Sequence, residues 1–352
     1  MTSEDPQTWR AAPGAPRGLN PLGSGPPSAA EGFPRLLGDI GGTNARFAWQ
    51  AAPELPLTDI QTLPAKDHAS LEDAMRHYLA SGTGGQRAAP VDAAIGIANP
   101  VTGDLVQMTN HHWRFSIEAM RQSLGLRRFV VVNDFTALAL SLPALAASDL
   151  RQLGGGAGDP VAPRALIGPG TGLGVSGLLR SAGGGWVPLA GEGGHVTLPA
   201  ANDREHAVIS WLRQRFGHPS AERAVSGQGL ENLYQALCAL DGRAAEALSA
   251  AEVSRRGLGG SDPACREALS LFCALLGTVA GNLALTLCAT GGVYVGGGIV
   301  PRLGQFFDES EFRARFEAKG RFSSLLAGIP VYVIDAAVSP ALLGAAQALD
   351  TH

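Results

Sequence analysis

The sequence predicts an α/β fold made of two duplicated halves, and three observations carry that prediction. Strand-like apolar runs surround an amphipathic helix in the first part of the chain. A second series of such runs begins near residue 165. Each series holds one Gly-Thr turn between two strand-like runs, Gly42-Thr43 in the first and Gly170-Thr171 in the second, which is the signature of a repeated β-turn-β unit.

Taken in order, strand-like runs fall at 35–39, 45–49, 91–98, 105–108 and 128–132, and apolar residues at helical spacing mark 70–80. The second series occupies 165–168, 174–180 and 186–190 and is followed by helices. One helix runs from Asn202, a candidate N-cap, to Gly217, a candidate C′ residue. Asp262 and Pro263 open a long helix. The stretch 268–301 has no charged residue and could pass for a membrane span, but Thr278, Asn282 and Thr286 interrupt it and GGVYVGGG follows. A buried helix leading into a buried strand is therefore expected. Strands at 292–297 and 330–334 and a helix at 339–349, with Ser339 as N-cap and Pro340 at its first position, complete the pattern.

Composition narrows the function. The 352 residues carry a net charge of −4 with 45% hydrophobic residues, typical of a globular protein and without the basic bias of a nucleic-acid or anionic-membrane partner. Of 27 basic residues only Lys66 and Lys319 are lysines, and neither completes G-x-x-x-x-G-K-[ST], so a Walker-type nucleotide site is excluded. Cys238, Cys265, Cys273 and Cys288 form no C-x-x-C pair and read as reduced core thiols of a cytoplasmic protein. Residues 1–34 hold seven prolines and no apolar core run, so they read as a disordered extension and not as a secretory signal.

Two motifs mislead. Gly172, Gly174 and Gly177 satisfy G-x-G-x-x-G, with Glu192 at the distance expected of a dinucleotide fingerprint. That fingerprint needs a helix opening on its glycines, whereas 175–180 alternates as a strand. Asp134-Phe135 matches the start of D-F-G, but Thr136 follows and no H-R-D occurs.

The residues able to do chemistry lie where strands end. The turn GDIGGTNARFA offers an acid, two glycines and a Thr-Asn pair, a backbone arrangement able to cradle an anion or simply to make a hairpin. Asn133 and Asp134 stand where the apolar strand 128–132 meets a helix, as an N-cap pair or as a carboxylate facing a cleft. Glu192 and His195 share a glycine frame in GEGGH, with hydrogen bonding to a polar ligand as the favoured reading. Glu222 in HPSAERAVSG is an ordinary acid on local grounds.

Seven blocks, GDIGGTNARFA, IANPVTGDLVQMTNHHW, VVNDFTALA, IGPGTGLGV, AGEGGHVTLP, HPSAERAVSGQGLENLY and GGVYVGGGIVPR, together resemble the bacterial glucokinases of the hexokinase-type, actin-like ATPase superfamily. The resemblance runs in order from about Leu36 to Leu349. It implies two duplicated actin-like (RNase H-like) α/β domains with a central cleft, a smaller one at 35–143 plus 336–352 and a larger one at 144–335. It implies ATP and Mg²⁺ on the two Gly-Thr loops: Asp39 near the metal through water, Gly41, Gly42, Thr43, Asn44, Gly170, Thr171 and Gly172 on the phosphates, and Gly296, Gly297 and Gly298 against the adenosine. Asn133, Asp134, Glu192, His195 and Glu222 would bind glucose, with Asp134 as the base that accepts the proton of the 6-hydroxyl. A homodimer is implied as well. The C-x-C-G-x-x-G-C-x-E segment of a related zinc-bearing group is missing, which points to the zinc-free branch, and no helix-turn-helix precedes the first strand. A kinase for another hexose, or a sugar sensor or assembly protein on the same fold, stays open at this level.

Overall fold

The computed structural model describes residues 31–82, 87–108 and 111–351. The disorder expected for 1–34 falls almost wholly on residues 1–30, which lie outside the described residues.

The strands are β1 (Arg35–Ile40), β2 (Asn44–Gln50), β3 (Thr58–Pro64), β4 (Asp92–Ile97), β5 (Leu105–Gln107), β6 (Arg114–Ser116), β7 (Arg128–Asn133), β8 (Leu150–Gln152), β9 (Arg164–Pro169), β10 (Leu173–Arg180), β11 (Trp186–Gly191), β12 (Val293–Val295) and β13 (Val331–Ile334). The helices are α1 (Leu71–Ala80), α2 (Ile117–Ser123), α3 (Asp134–Ser141), α4 (Asp203–Phe216), α5 (Gly227–Leu240), α6 (Ala250–Leu258), α7 (Pro263–Leu287), α8 (Val300–Leu303), α9 (Gln305–Asp308), α10 (Phe312–Glu317), α11 (Ser323–Gly328) and α12 (Pro340–Thr351).

The duplication is visible in the sheets. One sheet has the order β3-β2-β1-β4-β7 and the other β11-β10-β9-β12-β13, with β8 added at its end. In each, an antiparallel hairpin is followed by two parallel strands: β1 pairs antiparallel with β2 and parallel with β4, and β9 does the same with β10 and β12. Parallel central strands are covered on both faces, so they must be apolar throughout, and all six residues of β4 are buried.

Helices α3 and α12 lie between the sheets. Val132 of β7, Ala137 and Leu140 of α3, Leu166 and Leu178 of the second sheet and Ala341 and Ala348 of α12 form one core, while Leu37, Ala94, Leu342, Ala345 and Leu349 form another on the first sheet. The two helices cross so closely that a Cβ on Gly344 would stand 1.6 Å from the Ala137 carbonyl oxygen. The outer face of the first sheet is covered by α1 and α2 through Leu71, Met75, Tyr78 and Met120. That of the second packs on α5, α6 and α7, where Leu233, Val253, Phe272 and Leu276 are fully buried. Helix α7 carries the first part of the charge-free stretch, from Ala268 to Leu287, and most of that part is buried in this core.

The termini of elements follow their local chemistry. Ser70, Asn202 and Asp262 accept hydrogen bonds from the first-turn amides of α1, α4 and α7, and Gly217 ends α4 with φ 76°. Several results differ from the sequence expectation, the short strands β6 and β8 outside the expected runs among them. Strand β3 is an added edge: its residues alternate between exposed and half-buried, and a single sheet neighbour suffices to hold so polar a run. The strand expected at 292–297 contracts to Val293–Val295, because the flanking glycines leave the ladder. Cys238, Cys265 and Cys273 are buried, but Cys288 is exposed, since it caps α7 in a left-handed conformation (φ 48°) as the chain leaves the core.

Candidate active site

Both Gly-Thr turns are hairpin turns at the same place in their sheets. The Gly41 amide donates to the Asn44 carbonyl at 2.9 Å, and the Gly170 amide to the Gly172 carbonyl at 2.8 Å. Gly42 is half-buried and Thr43 exposed in the first, as Gly172 and Thr171 are in the second. The first turn is braced by the Ala65 amide on the Thr43 carbonyl at 2.8 Å, the second by the Gly227 amide on the Gly170 carbonyl at 2.8 Å.

Asp39 precedes the first turn. In the β1–β2 register it stands opposite Arg46, and its Oδ2 accepts from Arg46 Nη1 at 3.2 Å and from the Ser339 hydroxyl at 2.7 Å. Asp134 starts α3. Asn133 caps that helix, its Oδ1 accepting from the Phe135 amide at 2.9 Å and the Thr136 amide at 3.3 Å, while its Nδ2 donates to the Asn99 carbonyl at 3.4 Å. The cap reading of Asn133 and the site reading of Asp134 are thus compatible, because the cap is what aims the next side chain. Asp134 Oδ1 accepts from the Phe135 amide at 2.9 Å. Burial pushes the Asp134 carboxyl up from its ordinary 3.8 to about 6; the Phe135 amide opposes the rise and the nearby Asp39 charge adds to it.

Asp39 and Asp134 share a cleft of 460 Å³ with Gly296, Gly297 and Gly298. Gly297 has φ 79°, and a Cβ there would meet the Pro169 carbonyl oxygen at 2.3 Å, so only glycine fits; around Gly298 nothing lies within 4 Å of the Cβ position. Leu138, Ile334, Ala336 and Pro340 supply apolar walls. Arg46, Asp335 and Ser339 also line the cleft, and the sequence reading assigned them no site role. The duplication holds the missing signal for one of them: Asp134 follows the last parallel strand of the first sheet, and Asp335 follows β13, the corresponding strand of the second.

Glu192, His195 and Glu222 do not line that cleft but gather at the second turn. Gly194, in the 3-10 turn Gly193–His195, lies against the Leu173 carbonyl, where a Cβ would stand 2.0 Å from the oxygen. The His195 carbonyl accepts from His218 Nε2 at 3.0 Å, and the Ala221 amide donates to the Val196 carbonyl at 2.8 Å. These bonds join the segment to the turn that carries Glu222. Glu222 Oε2 accepts from the Leu173 amide at 2.9 Å, beside Gly172, whose Cβ would lie 2.4 Å from that oxygen. The side chains of Glu192 and His195 are exposed. Phe135 connects the two groups, its ring packing on Gly168 and Gly174 at the base of the same hairpin.

The apparent dinucleotide fingerprint resolves as a strand, since Gly174 and Gly177 lie within β10.

Comparison with known proteins places this architecture. A family model described as Glucokinase matches residues 36–352. The chain is 60% identical over 322 residues to a glucokinase of Chromobacterium violaceum, covering 92% of this chain and 91% of that protein. It is 60% identical to a glucokinase of Aromatoleum aromaticum, with 92% and 97% covered. The crystal structure of a glucokinase from an Antarctic psychrotroph superposes with a TM-score of 0.83 at 36% identity, covering 91% of this chain and 99% of that one. A glucokinase of the ROK family from Streptomyces griseus, solved with glucose and AMPPNP, shares the fold at 19% identity with a TM-score of 0.59. The two repeated sheets are those of the actin-like sugar kinases, and the chain belongs to the glucokinase family.

Proposed function

We propose that this protein transfers the γ-phosphoryl group of ATP to the 6-hydroxyl of D-glucose, giving glucose 6-phosphate and ADP. The observation that carries the reading is Asp134: a carboxylate at a helix start, buried enough to hold its proton up to about pH 6, in a cleft with Asp39 and a glycine wall. A base tuned toward the working pH combines a usable ionised fraction with enough basicity to take a proton.

In this reading Asn133, Asp134, Glu192, His195 and Glu222 orient the sugar through its hydroxyls. The 6-oxygen forms a bond to the γ-phosphorus as the bond to the β–γ bridging oxygen breaks, and its proton passes to Asp134. The amides and hydroxyls of residues 41–44 and 170–172 face the phosphates, and Gly296, Gly297 and Gly298 with Pro301 and Ile334 form the adenosine side. Asp39 presents a carboxylate oxygen to the cleft, a hard donor of the kind a hard cation takes. Asp39 would hold Mg²⁺ through water, and the ion supplies neutralisation of phosphoryl charge when bound.

Water competes with the sugar as nucleophile, so the two lobes, taken as 35–143 plus 336–352 and 144–335, close over bound glucose in this account, with α3 and α12 between them. The enzyme works as a cytoplasmic homodimer. Burial pushes the thiols of Cys265 and Cys273 up to about 12, which keeps them inert and suits a reducing compartment. The test is a coupled assay of ADP release over a panel of hexoses and phosphoryl donors. Glucose with ATP is expected to give the highest kcat/KM, and a higher value for another hexose would reassign the substrate.

A further inference from the structure

We propose that Phe135 is a positioning residue that sets the base against the second phosphate turn, and that Gly168 and Gly174 lack side chains in order to admit its ring. The proposal rests on the reading of Asp134 as the base.

Gly168 and Gly174 are partners across β9 and β10, so their missing side chains open one notch on one face of the hairpin. A Cβ on Gly174 would lie 2.1, 2.2 and 2.3 Å from Phe135 Cε2, Cδ2 and Cζ. One on Gly168 would lie 2.6 and 2.9 Å from Cζ and Cε1. Neither glycine has a positive φ, so the backbone conformation does not demand glycine at either place. The space does. Between the two runs the turn that holds Gly170, Thr171 and Gly172.

The backbone of Phe135 is tied to the base as closely as its ring is tied to the hairpin. Its amide donates to Asp134 Oδ1 and to the cap Asn133 Oδ1, both at 2.9 Å. On the other side, Gly96 of β4 admits the same helical turn: a Cβ there would lie 2.8 Å from Ala137 Cβ and 3.5 Å from Asp134 Cα. The start of α3 is therefore seated between glycines of both sheets. A rigid aromatic ring in a fitted notch transmits the position of the phosphate turn to the carboxylate one residue away. That coupling is what in-line transfer between a sugar and a nucleotide held by different parts of the chain requires.

The test is a double-mutant cycle. Gly174→Ala fills the notch, displaces the ring, and is expected to lower kcat by about 10²-fold, the scale of a one-ångström misplacement, with KM for ATP and glucose much less affected. Adding Phe135→Leu returns the lost space, so Phe135→Leu/Gly174→Ala is expected to recover most of the kcat and most of the melting temperature. Phe135→Leu alone leaves the notch underfilled and is expected to lower kcat with KM for ATP and glucose nearly unchanged, whereas a purely structural contact would lower the melting temperature and leave kcat of the folded enzyme in place. A double variant no better than Gly174→Ala in turnover and melting, or a Gly174→Ala enzyme with full kcat, would overturn the proposal. The melting cycle reads the wedge even if the wild-type protein has no glucose-dependent ADP release, an outcome that would count against the base and not against the fit of ring and notch.

Discussion

The hydroxyl of Ser339 donates to Asp39 Oδ2 at 2.7 Å, joining the start of the last helix to the first strand across 300 positions of sequence. Arg46 reaches the same oxygen at 3.2 Å from a half-exposed position, so the serine is the closer of the two groups that orient Asp39. Ser339→Ala is expected to raise KM for Mg-ATP by about tenfold, the lower end of the range of a hydrogen bond to a charged group, and to leave KM for glucose nearly unchanged. Steady-state kinetics with each substrate varied in turn check the split.

Acid should silence the enzyme early. In the proposed mechanism Asp134 takes the proton only when ionised, and its carboxyl is raised from 3.8 to about 6 by burial. Activity is therefore expected to fall as pH drops through about 6, whereas an ordinary aspartate would hold it down to about pH 4. A kcat profile from pH 4.5 to 8 measures the position of this limb.

Glycine at 344 is a packing requirement of the helix pair between the sheets. Its Cβ would stand 1.6 Å from the Ala137 carbonyl, a backbone atom that cannot move aside alone. Gly344→Ala is expected to destabilise by about 3 kcal/mol, the upper part of the overpacking range. Gly103, with open space around it and no positive φ, is the control: Gly103→Ala should stay within about 1 kcal/mol of the parent in urea unfolding.

The sugar side and the nucleotide side should separate. Glu192 and His195 project from a segment packed on the second turn and line no part of the Asp39–Asp134 cleft. Glu192→Gln and His195→Ala are each expected to weaken glucose binding by about tenfold or more, as for lost hydrogen bonds to a ligand, while ATP binds nearly as before. Titration calorimetry with each ligand alone decides this.

How much of this was legible in the sequence varied with the range of the interaction. The hairpin turns, the caps Asn202 and Asp262, and the buried helix α7 follow from neighbours a few positions apart, and the structure has them where periodicity and capping chemistry put them. The repeated strand order was hinted at by the two Gly-Thr turns alone; only the sheets show that the last parallel strands also correspond. Glu222 looked ordinary because its partner, the Leu173 amide, is 49 positions away. Ser339 read as a cap for the same reason, since nothing near it in the chain announces Asp39. Gly174 was visible only as part of a false fingerprint, because a glycine kept for a ring supplied by another element carries no local mark.

The replacement of Asp134 by Asn tests the central claim most directly, because it keeps the shape of the side chain and removes its basicity. Ionised Asp134 is held against its burial at a cost of about 3 kcal/mol, from a carboxyl raised from 3.8 to about 6, so the neutral amide should unfold at a temperature no lower than the parent. The native form binds the extra proton between those pH values, and this contribution to stability is lost as pH rises through about 6. Glucose-dependent ADP release by Asp134→Asn at pH 7.5 is predicted to fall by at least about 10²-fold in kcat with melting temperature kept or raised. Turnover near the parent rate in a folded Asp134→Asn protein would contradict the account.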